Sequence, residues 1–282
     1  MLPGGNQNYC SEYLQNLKTI LTQEVFVFCT LSLSTLFFIT NAVQYWVTDY
    51  MQTVLDITDS KEILVSFSLI CVTAPTLGLI MGGWACSLIG GYESKHSILL
   101  CVLFTTCAIP FSILVPMAHT SLAFAIYLWL VLFFGAGIFP ALTGIILTSL
   151  PPHLRGLGNS INCFVGNLFG FIPSPYIYGL INYLYQDVDK RMAFRFIMCY
   201  PIVCLVLISL AAVFRYRKFE NIEVNKKENA DLSIFNKTEQ PSVKEVELFD
   251  VASKNSSDEK TSDEELNPNE KRRDLNKTDY TV

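Results

Sequence analysis

The chain has 282 residues, 51% hydrophobic and 13% aromatic, and a mean hydropathy of +0.37, values that exclude an ordinary soluble domain. Its formal charge of −5 is unevenly spread: nine acidic and ten basic residues precede position 219, against sixteen and ten from there on. The acidity therefore belongs to the tail and says nothing about partners of the apolar body.

In residues 1–24, Tyr13, Leu14, Leu17, Ile20 and Leu21 recur at helical spacing among Glu12, Gln15, Lys18 and Gln23. That pattern predicts a short amphipathic helix lying on the cytoplasmic membrane surface. Six apolar runs follow, at 25–46, 63–83, 97–116, 122–150, 158–180 and 194–214. Each is long enough to cross a hydrocarbon core of ~30 Å. Arg195 is the one charge inside them, at a helix start where a long side chain can snorkel to the interface. A soluble helical core would need a charged face on most helices, and these have none. The predicted class is an all-α polytopic membrane protein, a six-helix bundle over 25–218 in contact with the lipid bilayer. The first run starts too late and runs too long for a cleaved signal, so it is expected to be retained.

From 219 to 282, Lys, Glu, Asp, Asn and Ser dominate, which predicts a disordered acidic tail. Lysine and arginine in the connections set its side. Arg215, Arg217 and Lys218 end the last run, placing the tail in the cytoplasm, and six spans then bring the N-terminus there too. Lys95 and Arg155 fall in inside loops, and the first outside connection is net acidic. Lys190 and Arg191 fall outside against the rule, accompanied by Asp187 and Asp189. With the tail inside, the N-x-S/T triplets at Asn236, Asn255 and Asn276 are not glycosylation acceptors. Ser256 and Ser262 each have an acidic residue three positions on, a pattern open to phosphorylation.

Nine cysteines suggest disulfides or a metal, but no C-x-x-C pair occurs and none lies in a predicted outside loop. Cys29, Cys71, Cys101, Cys107, Cys163, Cys199 and Cys204 lie within the runs and read as small buried apolar side chains. His96, His119 and His153 lie at helix ends or loops. No Asp, Glu or His falls inside a run, so nothing there forms a catalytic set, and an enzyme is not expected. No cofactor, metal or nucleic-acid partner is implied.

Glycine and proline are more informative. The second run ends with Gly78, Gly82 and Gly83, and Gly90-Gly91 follow at spacings that allow close helix approach and a tight turn. The stretch from Gly83 to Gly91 resembles the G-x-x-x-D-x-x-G loop of the major facilitator superfamily, in the copy joining the eighth and ninth helices. Ser87 stands at that family's aspartate position, where a carboxylate helps latch the two halves. The segment from Asn41 to Met51 is similar to the end of the seventh helix in the spinster-like branch. Pro151-Pro152-His153-Leu154-Arg155-Gly156 resembles the loop before the eleventh helix. Gly166, Gly170, Pro173 and Pro175 lie in a stretch similar to the glycine-rich eleventh helix that breaks at a Ser-Pro, with Asn182 replacing an aspartate. The resemblance covers residues 15–218 and implies the C-terminal six-helix half of such a transporter. Gly166 and Gly170 would pack closely and the two prolines would break the helix, in a rocking element or in a merely kinked one.

With no charge in the runs, a binding site must be built from amides, hydroxyls and aromatics. Asn41, Gln44 and Thr48 share one helical face, as do Asn159, Asn162 and Gly166. The resemblance places both helices beside the central cavity, so Asn41, Gln44, Tyr45, Asn159 and Asn162 are the cavity candidates. Hydrogen bonds between helices are the competing role for these amides. The implied activity is alternating-access transport of a small organic or lipid-like solute, with a second six-helix half or another copy supplying the opposite wall. A non-transporting scaffold that partners a full-length carrier is the alternative.

Overall fold

The computed structural model describes residues 6–57, 60–185 and 187–239. Its first compact unit runs to Glu223 and its second begins at Val224. Among the described residues every regular element is helical. The helices are α1 (Asn6–Leu21), α2 (Glu24–Thr53), α3 (Ser60–Leu88), α4 (Ser97–Leu114), α5 (Ser121–Thr148), α6 (Arg155–Val165), α7 (Pro173–Tyr185) and α8 (Met192–Glu239). A π-helical segment, Gly166–Phe171, joins α6 to α7. Among the described residues six stretches are long and apolar enough to span a bilayer, with α6, the π segment and α7 forming one of them. At 1.5 Å per residue, α2's 30 residues give about 45 Å, ample for a crossing. The chain is an all-α, multi-pass integral membrane protein.

Local chemistry sets the helix ends. Thr120 caps α5, its hydroxyl accepting from Ala123 N–H at 3.3 Å. Helix α3 stops where Gly90 and Gly91 adopt φ of +97° and +77°. Gly91 N–H donates to Cys86 C=O and Gly90 N–H to Ser87 C=O, the paired bonds of a Schellman turn that only glycine enters without strain. Ser97 Oγ then bonds Gly91 C=O, tying the start of α4 to that turn.

Two buried clusters fill the bundle. One gathers Phe26, Leu33, Cys101, Ile145 and Ile208 near the end where α2 starts, the Arg215 end. The other gathers Phe38, Tyr50, Phe124, Tyr178 and Phe194 toward the Asp189 end. Tyr50 stacks on Phe194 at 4.2 Å between ring centroids, and Phe38 on Tyr200 at 4.1 Å. Outward-facing Leu64, Val72, Ile80, Leu103, Ile126 and Val206 are exposed, as suits side chains against lipid. In α1, Ile20 is fully buried while Tyr13, Leu14 and Leu21 remain exposed.

Two expectations change. The run at 158–180 is not one helix broken by prolines in its interior. Its irregularity is the π segment, marked by Ile172 N–H donating to Asn167 C=O, five residues back. Pro173 opens α7 and Pro175 lies in its first turn, where a missing N–H breaks no bond within that helix. The irregular tail expected from 219 does not begin there either, because α8 continues through Glu239. Residues 219–240 contain no glycine or proline before Pro241, and Glu223 and Lys227 have the i, i+4 spacing that supports a helix. Asn236 falls within α8. Asn255, Asn276, Ser256 and Ser262 lie outside the described residues.

Candidate functional site

A cavity of about 290 Å³ opens where the two buried clusters meet. It is bounded by α2, α3, α4, α5, the π segment and α8, and its surface is mostly aliphatic and aromatic. Thr40, Gln44 and Thr105 are the polar side chains on it. The two threonine hydroxyls donate to Leu36 and Cys101 carbonyls of their own helices at 2.9 and 2.7 Å. The Gln44 amide is therefore the polar side chain there with donors free of a protein partner. Pro75 and Pro201 also line the space. Each removes one rung of its helix ladder at the depth of the cavity. Such a space suits the apolar part of a solute with one amide at its edge.

The five predicted cavity residues do not converge on this space. Gln44 lines it. Tyr45 is 68% exposed and tilts against Trp46. Asn159 is exposed on α6, whereas Asn162, one turn on, is only 6% exposed and its Oδ1 finds no partner. Asn41 turns into the bundle, where Nδ2 donates to Phe171 C=O at 2.7 Å and to Ser174 Oγ at 3.0 Å. The reason is local. In a regular helix Phe171 C=O would accept from residue 175, which is a proline without N–H, and the Asn41 amide supplies the missing donor. Trp46 Nε1 holds the next part of this seam, donating to Pro175 C=O at 3.2 Å.

The glycines divide into contact makers and free positions. A methyl group at Gly82 would lie 2.8 Å from Gly137 Cα and closer still to its carbonyl oxygen, and one at Gly78 would strike Phe133 C=O. At Gly170 it would meet Ser34 C=O at 2.7 Å and Phe37 Cβ at 2.8 Å, and at Gly166 the Phe37 ring at 2.9 Å. Gly83 has nothing within 4 Å. Arg155 turns back on its own chain, Nε donating to Leu150 C=O at 3.4 Å.

Several contacts that matter to this geometry carried no sequence signal, although Gly135, Gly137, Pro140 and Gly144 mark the fourth run as a flexible packing helix. Thr40 and Thr105 are ordinary hydroxyls in apolar runs. Gly144 faces the Tyr92 ring and Gly137 faces Gly82, pairings that depend on helix order in space. Ser174 was legible only as part of a Ser-Pro, not as an acceptor for Asn41. No protein-family model matches the chain, and no curated protein resembles it significantly.

Proposed function

We propose that this chain is a transporter half of the major facilitator type, moving a small organic or lipid-like solute by alternating access against a second six-helix half or another copy. The observation that carries the reading is a polar strip on an otherwise apolar bundle. Asn159 on α6 and Gln44 on α2 are exposed amides without a partner among the described residues, while Ser160 and Asn167, exposed beside them and interleaved with Phe164 and Leu168, bond carbonyls of their own helix at 3.2 and 2.9 Å. An amide facing hydrocarbon without a partner costs several kcal/mol, so such a strip calls for water or protein opposite it. The π segment and the prolines beside the cavity give the spans places to bend. The largely aliphatic cavity wall favours a lipid-like solute over a sugar. The basic cluster from Arg215 to Lys218 supports a cytoplasmic position for both termini.

Native cysteines test the strip. Cys163 is exposed on the same stretch of α6, whereas Cys199 is exposed on α8 beside Phe196, Ile202 and Val203, one turn inward of Arg195. In proteoliposomes, a variant retaining only Cys163 should react with a membrane-impermeant maleimide, and one retaining only Cys199 should not. Equal protection of both would mean that lipid covers the strip, and the wall assignment would fall. Reconstituted uptake of a lysolipid or an amphipathic organic anion then tests transport itself. Labelling of Cys163 with no uptake would move the reading to a scaffold.

A further inference from the structure

A second cavity, of about 300 Å³, lies at the Arg215 end, bounded by Val25, Glu93, Thr148, Ser149, Arg215, Lys218, Phe219 and Ile222. Arg215 is the unusual member. It is only 6% exposed, and among the described residues it has no carboxylate within ion-pair distance. Its Nη2 donates to Tyr92 C=O at 2.7 Å and to Ser94 C=O at 3.1 Å, while buried Nε has no acceptor among the described residues. The Phe219 ring lies 5.5 Å from the guanidinium carbon. Carbonyls orient this cation without neutralising it, and a buried charge in that condition calls for an anion.

Lys218 offers the second positive charge. It is exposed, and among the described residues its ammonium holds the Gln23 amide oxygen alone, at 3.3 Å, a contact that a charged acceptor displaces easily. Thr148 and Ser149 hydroxyls already donate to backbone carbonyls and can still accept. Glu93, on the rim, opposes a second negative charge. Two cations against one carboxylate match a single negative charge, such as a phosphodiester, better than a dianionic phosphate monoester. Val25, Phe219 and Ile222 add an apolar side next to the membrane-spanning part of α8.

We infer that this cavity is a binding site for the phosphodiester headgroup of an anionic membrane lipid, held by Arg215 and Lys218. The site is independent of the transport reading, because it shares no residue with the central cavity. Binding should stiffen the junction of α2, α5 and α8 and raise the thermal stability of the bundle.

The test uses the full chain purified in detergent, with thermal unfolding and native mass spectrometry as readouts. The probes are dioleoyl phosphatidylglycerol, dioleoyl phosphatidylcholine and inorganic phosphate. Phosphatidylglycerol should raise the unfolding temperature and remain bound in the gas phase, whereas the other two should do neither. Lys218→Gln should raise its half-saturating concentration about tenfold, the loss of one charge-assisted contact. Arg217→Gln removes the same charge from a neighbour that does not bound the cavity, and should change it less than twofold. Equal stabilisation by phosphatidylcholine, or equal losses in the two variants, would overturn the site. Equal stabilisation by inorganic phosphate would overturn the lipid as its source. Arg215 is left intact because its carbonyl bonds also hold the turn after α3.

Discussion

Two of the seams in this bundle are built differently. Helices α3 and α5 meet through Gly78 and Gly82 against Phe133 and Gly137, backbone on backbone, and Trp129 Nε1 donates across the seam to Thr73 Oγ1 at 2.9 Å. Helix α2 meets the π segment and α7 through Gly166 and Gly170 as well, but adds the Asn41 amide and the Trp46 indole. The difference follows from the backbone. Helices α3 and α5 lose only one rung each, at Pro75 and Pro140, and elsewhere satisfy their own N–H and C=O groups, so close packing can join them. Where a π segment runs into two prolines, carbonyls are left over, and the facing helix must bring donors.

The largest expected effect breaks the first seam. Gly82→Ala places a methyl group on the Gly137 backbone, which cannot swing aside as a side chain would, so the helices must separate along their length. The expected loss is about 3 kcal/mol, at the upper end for overpacking, with a matching fall in the unfolding midpoint in detergent. A shift smaller than about 1 kcal/mol would mean that the seam is looser than its geometry.

The second seam should break more gently and in a way that can be repaired. Asn41→Leu keeps the volume and removes the short bond, leaving Phe171 C=O with only the 3.4 Å bond from Ser174 Oγ, at a cost of about 1 kcal/mol or more. Pro175→Ala restores an N–H at the position that a regular helix would use. In the double variant the loss should be clearly smaller than for Asn41→Leu alone, a coupling that a double-mutant cycle reads directly. Additive losses would show that Asn41 does not stand in for the proline's missing donor.

The same contrast explains what could be read from the sequence. Span number, approximate limits and the glycine turn after α3 were legible because each rests on local chemistry: apolar length, charge placement and positive φ. The candidate site was legible only as a set of amides. Asn41 and Gln44 share a face by spacing, yet one is drawn into the α2 seam and the other lines the cavity. That choice depends on the π segment 130 residues away. The π segment itself has no distinct composition, since a single widened turn costs little and leaves no pattern of apolar positions behind. The helical course of 219–239 was missed for the opposite reason. Its polar composition is shared by disordered chains and by exposed helices, and only the absence of glycine and proline before Pro241 separates the two.

The smallest expected effect comes from the glycine next to the one with the largest. Gly83→Ala adds a methyl group where the structure has nothing within 4 Å, and alanine favours helix over glycine by up to ~1 kcal/mol in water. In detergent the unfolded reference keeps much of its helix, so the gain should shrink to about 0.5 kcal/mol or less. Adjacent residues thus carry opposite signs, because Gly82 meets α5 and Gly83 meets open space. The position also reports on a partner. If a second six-helix unit covers this side of α3, Gly83→Ala should leave the isolated chain's unfolding midpoint unchanged or raised while weakening association in the membrane. Crosslinking in proteoliposomes reads that association separately from stability. Unchanged crosslinking would place any partner on another face, with the polar strip of α6 as the surface to probe next.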